Sequence, residues 1–399
     1  MKLTLPIVLV LGLLAGLTPF AIDAYLPSLP TIARYMGTDV SLIQMTLSMY
    51  LVVFASLQIV FGPISDAIGR RKVVVTGLCL FMVGSIVCSL SQSYEVLMIG
   101  RAIQAIGGAA VAVCVPALVK DGLSADQFVK AMSMVMLVMA LAPLAAPIIG
   151  GAILTLLDWH YIFALLAVLA AIAMVLFLIT IPETLPVEKR TRLSFASALH
   201  NYKVLLKNPS VTGYIAAGAF HFAGMMCFIT GSSFVYIELY HVPPAQFGFL
   251  FGLNVICIMI ASTINNRCVE RLGSATLTKY AAHVVFCAAI VMVIISFMAQ
   301  PPFIFIILSG MAFMGSIGIL GSGLMAGALK NAGNNNGSVT ALAGASRFGA
   351  GAVSGVIISV LHNGTFVPMV ATMAICGILS FACYKFVVNY SAKQSVNNL

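Results

Sequence analysis

Twelve apolar stretches follow one another along this chain, each near or beyond the roughly 20 residues that a helix needs to cross about 30 Å of hydrocarbon. Breaks at charge clusters, prolines and glycines predict them at 4–26, 42–63, 73–92, 96–119, 131–155, 160–181, 211–236, 246–266, 276–298, 302–329, 337–361 and 366–389. Stretches such as Leu165 to Ile179 are apolar on every side. A barrel strand would instead alternate polar with apolar over about ten residues. The expected fold is an all-α polytopic membrane protein, its 12 transmembrane helices arranged in two pseudo-symmetric six-helix bundles. Only 8% of the 399 residues are charged and mean hydropathy is +1.09, which excludes a soluble enzyme, a coiled coil and a disordered chain.

The net charge of +9 sits in short clusters between the apolar stretches, where it faces anionic lipid and sets topology rather than binding nucleic acid. Arg70, Arg71, Lys72, Lys120, Lys130, Lys189, Arg190, Arg192, Lys203, Lys207, Arg267, Arg271, Lys279 and Lys330 all fall in alternate connections, and the others hold only Arg34. By the positive-inside rule both termini and the even-numbered connections are cytoplasmic. The longest hydrophilic stretch, 182–210, reads as a linker between an N-terminal bundle, 1–181, and a C-terminal bundle, 211–399. The halves echo each other: Asp66 and Gly69 after span two match Glu270 and Gly273 after span eight at a constant offset of 204. Nine cysteines are scattered through apolar runs without ligand spacing, so they read as small hydrophobes and no metal is expected.

Several motifs carry a resemblance. Gly62-Pro-Ile-Ser-Asp66-Ala-Ile-Gly69-Arg70-Arg71 resembles the loop signature of the major facilitator superfamily, and Ile99-Gly-Arg101-Ala-Ile-Gln104 its fourth-helix motif. Ala146-Pro147-Ile-Ile-Gly150-Gly151 is similar to the fifth-helix motif of its 12-helix drug/proton antiporters, with alanine in place of the first glycine. Pro19-Phe-Ala-Ile-Asp23-Ala-Tyr25-Leu-Pro27 and Asp158-Trp159-His160-Tyr161 resemble the bicyclomycin-resistance and chloramphenicol or florfenicol exporter subfamily. The resemblance implies a bacterial inner-membrane exporter, and the fifth-helix motif implies antiport.

Read physically, Asp23 is the most informative residue, because a carboxylate within a span costs about 2.5–3.5 kcal/mol on insertion scales and calls for a cavity or a partner. If span one ends near Leu29, Asp23 lies six residues, roughly 9 Å, from the outer end, and Arg101 lies equally deep in span four counted from Glu95. The two are therefore expected to be neighbours that couple protons to transport, since desolvation and a guanidinium act oppositely on a carboxyl and a substrate shifts the balance. A fixed ion pair that only aligns two helices is the bland alternative.

Arg347, about nine residues into span eleven, is expected near the midplane, either binding anionic or carbonyl groups of a substrate or neutralised by the protein. Tyr25, Tyr50, Phe54, Met139, Phe222, Phe228 and Tyr236 are candidates to line an adaptable apolar pocket, with ordinary packing the alternative for each. His221 and His283 read as hydrogen-bonded packing residues, and Trp159 with Tyr161 as an outer interfacial belt. Gly62 and Gly69 are expected to shape a sharp loop in which Asp66, with Arg70 and Arg71, forms a conformational latch, a role the resemblance implies. Pro143, Pro147, Gly150 and Gly151 permit a kink and a tight seam in span five.

No G-x-x-x-x-G-K-[ST] loop occurs, so this chain does not hydrolyse ATP and transport draws on a gradient. The expectation is a monomeric, non-enzymatic antiporter that exports small hydrophobic or amphipathic drugs against protons, with no cofactor beyond the proton gradient. The alternative keeps the fold and gives it a physiological metabolite such as an amino acid, peptide or sugar.

Overall fold

The computed structural model describes residues 4–123, 125–190, 202–332 and 336–397. Among these residues twelve helices are long and apolar enough to span a membrane: Leu5–Tyr35, Val40–Ile68, Arg70–Ser89, Tyr94–Gly122, Met134–Leu156, His160–Thr180, Pro209–Leu239, Pro244–Leu272, Ser274–Ser296, Phe303–Lys330, Ser338–Val360 and Val367–Tyr390. They are spans one to twelve below. The protein is an all-helical, multi-pass membrane protein, and its exposed Leu156, Ile179 and Phe297 are the apolar surface that lipid requires.

Two span ends depart from the sequence-based expectation. Span one does not stop near Pro27; a short 3₁₀ turn at Leu26–Ser28 leads into helix Leu29–Tyr35. Pro27 and Pro30 occupy the first positions of these new helical segments, where a missing N–H costs nothing. Span two likewise runs through Gly62 and Pro63 to Ile68. Gly62 therefore lies within a helix instead of shaping a loop, and a Cβ there would meet nothing within 4 Å. The reversal into span three is made by Gly69 alone, at φ +103°, a backbone that disfavours side chains. Its counterpart 204 residues on, Gly273 at φ +76°, makes the same reversal between spans eight and nine.

Contacts group the chain into two compact units, Met1–Phe195 with His241–Gly252, and Ala196–Tyr240 with Leu253–Leu399. In the first, spans one and five, three and four, and three and six pack together; in the second, seven and eleven, nine and ten, and nine and twelve do so. Residues 191–201 of the expected linker lie outside the described residues. Its far end is built into the second unit. Leu205 packs against Val211, Ala328 and Val339, and the Asn208 side chain accepts the backbone N–H groups of Ser210 and Val211, capping span seven.

Candidate functional site

Arg101 is sealed inside the first unit, with no solvent exposure. Gln104, three residues on and so on the same helix face, accepts a hydrogen bond from Arg101 Nη1 at 2.7 Å; its amide nitrogen then donates to Ser85 Oγ on span three at 2.8 Å. The guanidinium carbon stands 4.8 Å from the Tyr25 ring centroid, 4.5 Å from that of Tyr50 and 5.9 Å from that of Phe163. Rings from spans one, two and six thus clasp one cation, an arrangement whose strength grows as water is excluded. Tyr25 is held by its hydroxyl, which donates to the Ile43 carbonyl at 3.1 Å, and Tyr50 bonds Thr18 at 3.3 Å. Phe54 is buried beside Tyr50, its ring nearly parallel at 6.1 Å.

Asp23 is buried on span one, 4% exposed. Arg101 does not pair with it: Nη1 donates to the Ala21 carbonyl at 3.1 Å, two residues short of the acid, and no Asp23–Arg101 ion pair forms. The guanidinium thus meets the backbone of span one and not the Asp23 carboxyl, which the sequence placed as its neighbour. Asp23 Oδ1 and Arg101 Nε and Nη2 have no protein hydrogen-bond partner. The depth argument also changes, because the helical run continues to Tyr35, twelve residues beyond Asp23.

Span five fixes this stretch from the other side. A Cβ on Gly12 or Gly16 would face Val138 or Ala142, and one on Gly150 would collide with the carbonyl oxygen of Ala24. These three pairs share an offset of 126 residues, so spans one and five run parallel in constant register along a seam of small residues. Gly151 faces the carbonyl of Pro244, and Pro143 and Pro147 lie inside the helix. Met139 is half-buried on the same span.

At the Gly69 end of the first unit, Arg70 bridges Asp66 and Asp121, its Nε 3.1 Å from Asp121 Oδ2. Arg71 reaches the carbonyl of Leu178 at 2.8 Å. Glu183, just past span six, accepts the backbone N–H groups of Arg70 at 3.1 Å and Arg71 at 3.3 Å. A carboxylate thereby caps the two first residues of span three, where the helix dipole favours negative charge. Asp121 and Glu183 were not singled out from the sequence, because their partners lie 51 and 113 residues away. Replacing Glu183 by Ala is expected to destabilise the purified protein by about 1 kcal/mol in denaturant titration, and Glu183→Gln by less. An unchanged midpoint for Glu183→Ala would remove the cap from the account.

Comparison with known proteins bears on what this arrangement serves. The sequence pattern of the Major Facilitator Superfamily matches residues 11–356. The chain belongs to the Major Facilitator Superfamily. This major facilitator is 33% identical over 98% of both chains to a bicyclomycin resistance protein homolog of Haemophilus influenzae. It is 27% identical to multidrug resistance protein D of Escherichia coli K12, over 80% of this chain and 87% of that one. Among solved structures a peptide transporter of the POT family superposes with TM-score 0.77 at 15% identity, covering 97% of this chain and 94% of that one. The xylose transporter XylE of E. coli gives 0.74 at 14%, covering 96% and 97%. Both share the fold. The chain is a transporter, not an enzyme, and its subfamily is the one its motifs resemble.

In the second unit of this major facilitator, Arg347 Nη2 donates to the Gly321 carbonyl at 3.3 Å, and the guanidinium lies beside Gly218 of span seven. Phe222 meets Phe348 edge-on at 5.0 Å, whereas Phe228 and Tyr236 are fully buried against each other. His221 lies 2.9 Å from Ser316 Oγ, where span ten is interrupted, and His283 lies 2.7 Å from the carbonyl of Lys279. Trp159 does not join an interfacial belt: it is 1% exposed, packed among Tyr35, His160 and Phe163, and only Tyr161 faces outward.

Proposed function

We propose that this major facilitator exports small hydrophobic or amphipathic drugs in exchange for protons, by alternating access between its N-terminal and C-terminal halves, 1–181 and 211–399. One observation carries the reading: a sealed carboxyl on span one, with an oxygen lacking any donor, two residues along the helix from the Ala21 carbonyl that a ring-held guanidinium grips. An ionised carboxylate so placed is costly, so the position calls for a proton or a cation. When the proton leaves, a turn of span one brings the carboxylate to the two unpartnered N–H groups of Arg101; when substrate or proton returns, the rings hold the cation again. The names of the relatives, bicyclomycin resistance and multidrug resistance, support a drug as cargo.

In this reading Arg347, Phe222, Phe228 and Tyr236, with Tyr25, Tyr50, Phe54 and Met139, contribute to substrate binding. The Asp66–Arg70–Asp121 bridge, with Gly69 and Arg71, acts as the latch. Proton and drug are the partners of a monomer in a bacterial inner membrane with both termini cytoplasmic, and the proton gradient replaces any cofactor. The test uses inverted membrane vesicles containing the full chain and an acidified lumen. Adding a transported antibiotic is expected to raise lumenal pH as protons leave in exchange. If no drug in a broad panel moves protons and an amino acid, peptide or sugar does, the metabolite reading replaces this one.

A further inference from the structure

The second unit contains a cavity of about 840 Å³ where the connections between spans seven and eight, nine and ten, and eleven and twelve converge. It lies away from Arg347: Tyr240 on its wall is 22 residues, roughly 33 Å of helix, beyond Gly218. None of the described residues that line it is Asp, Glu, Lys, Arg or His. Its volume is that of a site for a drug-sized molecule.

Rings organise the wall. Span seven ends in a widened π-type turn, Phe234–Leu239, of the kind that recurs at functional sites. Behind the wall, buried Tyr236 of this turn meets Phe303 edge-on at 4.9 Å, and on the wall Tyr240 lies flat on Phe303 at 4.6 Å and 20°. The Tyr240 hydroxyl donates to the Pro301 carbonyl at 2.7 Å, which fixes the stack. Gln300 adds an amide with donors and an acceptor, and Met298 and Phe366 complete the apolar surface. Inward from Phe303 the rings continue through Tyr236 to Phe228 in the body of span seven.

We propose that this cavity is a binding site for planar, uncharged aromatic molecules, separate from the site built on Asp23 and Arg101. A charged ligand would gain no counter-ion from this lining. A flat ring extends the Tyr240–Phe303 stack by another layer, and one amide suffices to orient a polar substituent. An aliphatic chain gains only area.

The test is photolabelling of the full-length protein in phosphatidylcholine nanodiscs with tritiated benzophenone, an uncharged aromatic probe, followed by peptide mapping. Adducts are expected on the segment from Met298 to Phe303. Ala299→Trp, which fills the cavity from an exposed connection, and Phe303→Leu, which removes the stacking ring, are each expected to lower that labelling about fivefold. Excess 1-naphthol should compete and decanol should not. Asp23→Asn should label like the unaltered protein, so the proposal survives or fails apart from proton coupling. Ala299→Trp carries the result alone if Phe303→Leu does not fold. Labelling that ignores Ala299→Trp, falls equally with decanol, or is as dense on exposed Phe297 and Leu308 would overturn it.

Discussion

Asp23→Asn is expected to reduce the drug gradient that energised membranes sustain from several hundred-fold to about one, with protein level and downhill exchange retained. The magnitude follows from the driving force: at about 150 mV one elementary charge contributes roughly 3.5 kcal/mol, and asparagine carries no exchangeable charge across it. Asn is close in size to Asp, so the contact of Gly150 with the adjacent Ala24 is not disturbed, and the loss is one of coupling rather than folding. Arg101 offers a companion. Lysine keeps the charge but lacks the planar fork that bonds Ala21 and Gln104 while lying over Tyr25 and Tyr50. Arg101→Lys should therefore lower the gradient strongly as well, and more than a Lys-for-Arg change at exposed Arg34. The measurement is accumulation of a transported drug in proteoliposomes under an imposed pH gradient, alongside counterflow without one. Full accumulation by Asp23→Asn would leave the proton to another group.

Much of the architecture was legible because hydrophobic length and basic loops are local properties. Twelve spans emerge from them, and the Gly69–Gly273 correspondence survives as two positive-φ reversals. Punctuation misled where proline opens a helical segment instead of closing one, as at Pro27 and Pro30, or lies within a helix, as at Pro63. Depth counting brought Arg101 to span one, whose Ala21 carbonyl it bonds. It said nothing about rotation of each helix about its axis, and rotation decides that the guanidinium meets the Ala21 carbonyl and two tyrosine rings rather than the carboxylate. Trp159 was read from its place at a span end, yet Tyr35 of span one packs on it and it is buried. Glu183 had no local signal, since a cap supplied from 113 residues away is created only by the packing of span six on span three.

Gly150→Leu is expected to lower drug export by about tenfold or more while Gly16→Ala and Gly62→Ala stay near the unaltered rate. All three replace a glycine in a spanning helix, and their surroundings separate them. Gly62 has open space, and a Cβ on Gly16 would make ordinary contact with Ala142 at 3.8 Å. On Gly150 the obstacle is the Ala24 carbonyl, a backbone atom that no rotamer change can move. Span one must yield there, and the residues on either side of Ala24 are Asp23 and Tyr25, the acid and a ring that clasps Arg101. The same displacement thus disturbs both halves of the proposed proton site, although Gly150 carries no chemistry of its own. Rates in proteoliposomes, normalised to folded protein, give the comparison, and a fluorescent-ligand titration tells a seam that only seals the helices from one that also positions the site. Normal export by Gly150→Leu would mean that span one tolerates the shift, and the seam would lose its part in holding the acid.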